Sequence, residues 1–186
     1  MKRGFSKLTL LACLSLCVVA PACGGSQKGT ASGEKVERVE GVADTIALFK
    51  QKDPSIAQLF SQSAAYVVFP TVGEGGFIVG GGHGSGEAYE GGVYVGRVTL
   101  SELSVGAQVG GQSYSQVVFF ETPVDFKRMK ENEFKFDAEV SAVAADAGVA
   151  KNAKFKNGVA TFIIPKQGVM AAASVGGQKL EFTPAK

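Results

Sequence analysis

Cysteine is missing from most of this 186-residue chain, tryptophan is absent altogether, and histidine occurs once. The three cysteines are Cys13, Cys17 and Cys23, so the chain after position 23 has no thiol for a disulfide or a cysteine-bound metal. An imidazole site would have to use His83, and the sequence has no G-x-S-x-G motif to present a serine nucleophile. We therefore expect a protein that is not an enzyme and has no catalytic residue, metal site or cofactor.

The sequence also lacks an apolar run long enough to cross a bilayer as a helix, which takes roughly 20 residues. The apolar run at 8–20 is shorter, and Pro21 follows it directly. Lys2, Arg3 and Lys7 precede the run, and a basic segment before a short apolar segment is typical of an export signal. We place that signal peptide at residues 1–22.

The segment Val19-Ala-Pro-Ala-Cys23-Gly-Gly-Ser resembles the lipobox of bacterial lipoproteins. The resemblance implies that Cys23 is acylated and becomes the N-terminus, and that the exported protein is anchored in a membrane. Gly24 after the cysteine favours the outer membrane, facing the periplasm. Ordinary secretion with a free Cys23 is the alternative. Residues 24–33 are glycine-rich and lack large apolar side chains, so we expect residues 23–33 to be a lipidated, flexible tether.

A strong excess of charge is missing as well. Without residues 1–22 the chain has 16 basic and 17 acidic side chains, which argues against non-specific nucleic-acid binding. The basic side chains are concentrated toward the C-terminus, and no acidic residue lies between Asp146 and Glu181.

Residues 34–186 have the length of a single domain. Apolar residues at helical spacing, Val36, Val39, Ala43, Ile46 and Phe49, predict an amphipathic helix. Asp53 as N-cap with Pro54 at the first helical position predicts a second helix. The segment Thr122-Pro-Val-Asp125 has a capping residue, a proline and a carboxylate at the positions that begin a helix, and we extend this third helix to Lys130.

Strands dominate the rest of the domain. β-branched and aromatic runs separated by glycine predict strands at 65–69, 76–79, 88–95, 103–109, 116–120, 134–142, 158–164, 168–175 and 179–182. The 25 glycines favour bends. We therefore expect an α+β fold, in which a strongly curled, glycine-rich antiparallel sheet or small barrel has N-terminal helices and one short helix between strands.

The glycine-rich run at 80–86 could in principle hold a phosphate, but it matches neither G-x-G-x-x-G nor a P-loop. We expect a glycine-kinked hairpin, with His83 as a solvent-exposed loop residue. Glu87 and Glu90 could form an acid–base pair, but their three-residue spacing on a strand places them on opposite faces. We interpret them as surface charges.

Three segments together resemble the SYLF lipid-binding domain family. The first is Ala65-Tyr-Val-Val-Phe-Pro-Thr-Val-Gly-Glu-Gly-Gly-Phe-Ile-Val-Gly-Gly-Gly-His-Gly-Ser-Gly86, and the second is Ser104-Val-Gly-Ala-Gln-Val-Gly-Gly111. The third is residues 134–148 followed by Gly168-Val-Met-Ala-Ala-Ala-Ser174. The resemblance implies phospholipid binding, and in a bacterial envelope the expected ligand is an anionic headgroup or an acyl chain of its own membrane.

The basic segment at 150–158 is the candidate lipid-binding surface. Lys151, Lys154 and Lys156 would face the anionic lipid, and Phe155 would insert as an apolar contact. A solvated hairpin whose lysines only maintain solubility is the alternative for this segment. For the whole protein, the alternative is a structural or protein-interaction lipoprotein without a lipid ligand.

Overall fold

The computed structural model of the chain describes residues 38–76, 79–105, 110–131, 135–137, 142–167 and 177–186. Residues 33–186 form one compact unit. The predicted signal peptide, Cys23, the tether and the predicted strand at 168–175 lie outside the described residues.

Three helices and eight strands lie in the described ranges. The helices are α1 (Val42–Lys52), α2 (Ile56–Gln62) and α3 (Pro123–Lys130). The strands are β1 (Ala65–Gly76), β2 (Val79–Glu90), β3 (Val93–Val105), β4 (Gly110–Phe120), β5 (Lys135–Asp137), β6 (Ala142–Ala144), β7 (Val159–Gln167) and β8 (Gly177–Pro184). No helix in these ranges is both long and apolar enough to cross a membrane.

The strands form one sheet in the order β5-β8-β3-β2-β1-β4-β7-β6. All neighbours are antiparallel except β6 and β7, which are parallel. The α+β class is thus confirmed, but the strongly curled sheet or small barrel is not supported. A barrel needs a closed ladder, whereas β5 and β6 lie at opposite edges of this order and no described pairing joins them.

Apolar layers cover both faces of the sheet, and the central strand β1 is therefore buried on both sides. Its odd-numbered residues Ala65, Val67 and Phe69 belong to a first layer, which also contains Phe126 and Met129 of α3. Its residues Tyr66 and Val68 belong to a second layer, which receives Phe49 from α1 and Ile56 from α2. This explains why the sequence of β1 is a continuous apolar run rather than an alternating one.

Of the predicted starts of α3 and α2, one is confirmed and one is wrong. The start of α3 is confirmed, because Thr122 is its N-cap and the Thr122 hydroxyl accepts from the Asp125 amide at 3.3 Å. The predicted start of α2 is wrong: the helix begins at Ile56 after Ser55, and Asp53 follows the last turn of α1. The Asp53 carboxylate is used instead in a longer-range contact described below.

The glycine-rich run at 80–86 is not a loop but the first half of β2, which forms an antiparallel hairpin with β1. Each of its residues pairs with β1, with β3 or with both. Alternate glycines allow the face of β2 to approach side chains of β1: a Cβ on Gly86 would lie 2.6 Å from the Phe69 ring and 2.5 Å from the Val68 carbonyl oxygen. His83 is exposed, as predicted, although it lies in a strand.

Two predicted strands are divided in the structure. The run at 88–95 contains the turn between β2 and β3, where Gly91 and Gly92 have positive φ values of 56° and 81°. Of the run at 134–142, residues 135–137 form β5 and Ala142 begins β6, while 134 and 138–141 lie outside the described residues; β5 and β6 are at opposite ends of the strand order and pair with β8 and β7 respectively. Alternation of apolar and polar residues predicts a half-buried strand but does not identify its partner.

Candidate functional site

The basic segment at 150–158 forms a short 3-10 turn (Ala150–Asn152) and a tight hairpin onto β7. Lys156 and Val159 exchange backbone hydrogen bonds at 2.9 and 3.1 Å. Between them, Asn157 and Gly158 have φ values of 54° and 80°, and an Asn-Gly pair is preferred where both central residues need positive φ. Residues 156–159 therefore form a tight turn.

A cleft of about 730 Å³ separates this segment from β7. Apolar side chains form most of its lining, with Val149, Ala153, Phe155 and Phe162 among them. Phe155 is half-buried and packs against the second apolar layer. The cleft therefore opens on the side of the sheet that α1 and α2 cover.

The candidate lysines do not occupy equivalent places around this cleft. Lys154 and Lys156 line the cleft and are exposed. Lys151 is exposed on the 3-10 turn and is not part of the lining. The fold thus brings three of the four predicted residues, Lys154, Phe155 and Lys156, to one cavity.

Salt bridges distinguish Lys154 and Lys156 from other lysines of the described residues. Lys130 and Lys179 form salt bridges with Glu90 and Glu181. In contrast, no salt bridge joins Lys154 or Lys156 to a carboxylate in the described part of the chain. An apolar cavity beside uncompensated cations suits an amphiphile with an anionic head.

The fully buried Asp53 fixes one wall of the cleft. One carboxylate oxygen accepts from the Gly148 amide at 3.0 Å, and the other accepts from the Ala150 amide at 2.7 Å. The first oxygen also accepts from the amide and the hydroxyl of Ser55. Burial by itself would raise the pKa of Asp53, but these hydrogen bonds lower it below the ordinary value. Sequence analysis missed this role, because an Asp-Pro pair at a helix start gives no sign of a contact nearly 100 residues away.

Glu87 is buried rather than a surface charge, and it holds the segment before α1 against the sheet. Its carboxylate accepts from Arg38 Nε and from the Val39 amide at 2.7 Å, and from the Tyr89 hydroxyl at 2.6 Å. Burial alone would raise the pKa of Glu87, but the hydrogen bonds from Arg38, Tyr89 and Val39 lower it. Glu90 is partly exposed and pairs with Lys130 at 3.0 Å, so the surface interpretation holds only for Glu90.

A second buried polar cluster lies on the side of the first apolar layer. Tyr114 and Gln178 donate to one Glu102 carboxylate oxygen at 2.9 and 3.0 Å, and Gln116 donates to Gln178 at 2.9 Å. These side chains meet although three strands separate β4 from β8 in the sheet order. The cluster satisfies its buried polar groups internally, which makes it a structural network. Within the described ranges, no group of three or more histidine, cysteine, aspartate or glutamate residues is arranged to hold a metal ion.

The cleft and the second polar cluster both lie in the part of the chain that matches a known family. Residues 101–184 match the family model Ysc84, described as "Las17-binding protein actin regulator". The chain is also 27% identical over 146 residues to beta cell expansion factor A of Aeromonas veronii, an alignment that covers 76% of this chain and 54% of that protein. The chain therefore spans about half the length of this relative.

These matches confirm the resemblance predicted from the three glycine- and alanine-rich segments. The matched stretch begins in β3 and ends in β8, so it includes Phe155 and the whole lining of the cleft. Asp53 and Glu87 lie before it. Over residues 101–184 this chain is therefore similar to the SYLF (Ysc84) family.

Proposed function

We propose that this protein is an exported lipoprotein, anchored through an acylated Cys23, whose folded unit binds phospholipid membranes with the basic border of the cleft between the basic segment and β7. The observation that carries the proposal is the position of Lys154 and Lys156, exposed and without a salt bridge among the described residues, on the border of an apolar cavity lined by Phe155. In this proposal the protein binds and does not catalyse, and its site is the outer membrane facing the periplasm.

The attraction between the lysines and an anionic membrane contributes a binding free energy that can be stated. Each lysine near an anionic membrane surface contributes about 1 kcal/mol, so Lys151, Lys154 and Lys156 together contribute roughly 3 kcal/mol. That corresponds to about a 100-fold difference in affinity. Because the attraction is between exposed charges, it falls as salt rises.

The test is sedimentation of residues 33–186 with phosphatidylglycerol vesicles and with phosphatidylcholine vesicles. We expect binding to the anionic vesicles only, and a loss of about 100-fold when the three lysines are changed to glutamine. The control changes Lys52, Lys127 and Lys186 to glutamine, which removes the same charge from other exposed positions. Equal losses in both variants would show that net charge acts rather than this site, and absence of binding would favour a protein partner instead.

The anchor is tested separately in cells. The acyl chains, at about 0.8 kcal/mol per buried methylene, would hold the protein in the membrane more firmly than the folded unit does. We expect Cys23→Ser to release the protein from the membrane fraction or to stop its processing. Unchanged processing and unchanged fractionation would reject acylation at Cys23 and leave the vesicle result unaffected.

A further inference from the structure

We infer that the cleft encloses one acyl chain of a single-chain acidic amphiphile, such as a fatty acid or a lysophospholipid, with the acidic head between Lys154 and Lys156. This inference rests on the proposed function and narrows it. Contact with a bilayer surface needs no cavity, whereas capture of a single lipid molecule needs a cavity of matching volume beside a matching charge.

The volume of the cleft favours one chain over two. A methylene group fills nearly the volume of a water molecule in the liquid, ~30 Å³, so a chain of about 16 carbons needs roughly 500 Å³. The cleft holds about 730 Å³, which accommodates that chain and part of a head group. The two chains of a phospholipid would need about twice the single-chain volume, roughly 1,000 Å³.

The chemistry of the lining changes from the interior to the border. Val149, Ala153 and Phe162 offer a chain only apolar contact, which is favourable in proportion to the area removed from water. Lys154 and Lys156 are exposed at the border, where a carboxylate or phosphate stays partly hydrated. An apolar body with two cations at its mouth is complementary to a molecule with one tail and one acidic head.

The wall of the cleft is also fixed before any ligand arrives. Asp53 holds the amides of Gly148 and Ala150, so the segment that follows them has a defined position opposite β7. A preformed cavity avoids the entropic cost of ordering its wall on binding. Asp53 is therefore a positioning residue for the cleft, without contact to the ligand.

The three lysines provide a matched test, because a bilayer surface and an enclosed chain use them differently. Near a membrane surface all three contribute alike, whereas only Lys154 and Lys156 line the cleft. Calorimetric titration of residues 33–186 with palmitate and with lysophosphatidylglycerol, each below its micelle-forming concentration, measures the enclosed mode. We expect one ligand per protein molecule, a 10- to 100-fold loss in the double variant Lys154→Gln/Lys156→Gln, and less than a twofold change in Lys151→Gln.

A second set of variants fills the cavity without changing its charge. Ala153→Phe places a ring in the cleft, and Asn152→Phe does so from an exposed position, which protects the test if Ala153→Phe does not fold. We expect either folded variant to abolish palmitate and lysophosphatidylglycerol binding while vesicle binding is retained. The tighter of the two ligands identifies whether a carboxylate or a phosphate head is preferred.

The outcomes separate this inference from the proposed function. Binding to phosphatidylglycerol vesicles without binding of either monomeric ligand overturns the enclosed chain and leaves membrane binding intact. Equal losses in Lys151→Gln and Lys154→Gln, or monomer binding that survives both cavity-filling variants, also overturn it. If neither vesicles nor monomers bind, both proposals are rejected.

Discussion

Substitution of Asp53 measures most directly how strongly the wall of the cleft is held in place. Its carboxylate is fully buried and accepts four hydrogen bonds, from the amides of Ser55, Gly148 and Ala150 and from the Ser55 hydroxyl. Asp53→Ala removes the charged acceptor of the Gly148 and Ala150 amides; hydrogen bonds to charged groups contribute ~1.5–3 kcal/mol, and the buried Ala150 amide would be left without this partner. We therefore expect the free energy of unfolding to fall by about 3–4 kcal/mol at pH 7.

The pH dependence distinguishes lost charge from lost shape. Because the pKa of Asp53 is lowered in the folded protein, its charged form stabilises the fold above the ordinary carboxyl pKa of about 4. That contribution is lost as pH falls through the lowered pKa of the folded state. Asp53→Asn, which keeps the shape but not the charge, should therefore be clearly less stable than the wild type at pH 7 and approach it below pH 4.

Urea unfolding followed by far-ultraviolet circular dichroism at pH 7 and pH 3 supplies both numbers. Asp146→Asn is the control, because Asp146 is exposed and lies just before the same wall. Its effect should stay within about 0.5 kcal/mol. The reasoning fails if Asp53→Asn and Asp146→Asn are alike at pH 7, or if the gap between Asp53→Asn and the wild type does not narrow in acid.

Three further predictions, which use five substitutions, test the corrected assignments by the same unfolding measurement. Glu87→Gln should destabilise the fold by about 2–3 kcal/mol, since hydrogen bonds to charged groups contribute ~1.5–3 kcal/mol. Glu90→Gln should cost less than about 1 kcal/mol, because Glu90 forms an exposed ion pair. Similar values for the two variants would contradict the burial of Glu87. Gly86→Ala should cost about 2–3 kcal/mol through overpacking against Phe69. Gly73→Ala, with nothing within 4 Å of the added Cβ, should leave stability within about 1 kcal/mol of the wild type; a reversed order would contradict the close approach. His83→Gln should leave stability within about 0.5 kcal/mol of the wild type and vesicle binding unchanged, and a loss of binding with an intact fold would move the site to β2.

The secondary structure was predictable where local chemistry alone decides it. The sequence Thr122-Pro-Val-Asp125 contains the hydrogen-bonding groups that begin α3, so the helix could be placed without knowledge of its surroundings. The Asp53-Pro54 pair gives the same local signal, but there the carboxylate also accepts from the distant amides of Gly148 and Ala150. The carboxylate still accepts from the Ser55 amide, yet the helix begins at Ile56, so a capping pattern places a helix start only to within a few residues.

The prediction of a loop within the glycine-rich run at 80–86 was also wrong because contacts distant in the sequence decide its structure. In the sequence, the run at 80–86 is typical of a turn, because glycine relieves backbone restrictions. In the structure the absence of a side chain matters more than the freedom of φ, since Gly86 admits the Phe69 ring from the neighbouring strand. Which neighbour comes close depends on strand order, and strand order could not be derived from periodicity.

The sequence indicates the charge of the candidate site but not the cavity beside it. A run of lysines without intervening acid, interrupted by one phenylalanine, identifies a cationic amphipathic surface whether or not a cavity lies behind it. The cavity depends on Asp53, which accepts from the amide of Ala150 nearly 100 residues later in the chain. It also depends on the hairpin at Asn157 that returns the chain to β7. Charge density along a chain therefore predicts the class of ligand, while the long-range contacts that fix the wall determine whether that ligand is a membrane surface or a single molecule enclosed by the protein.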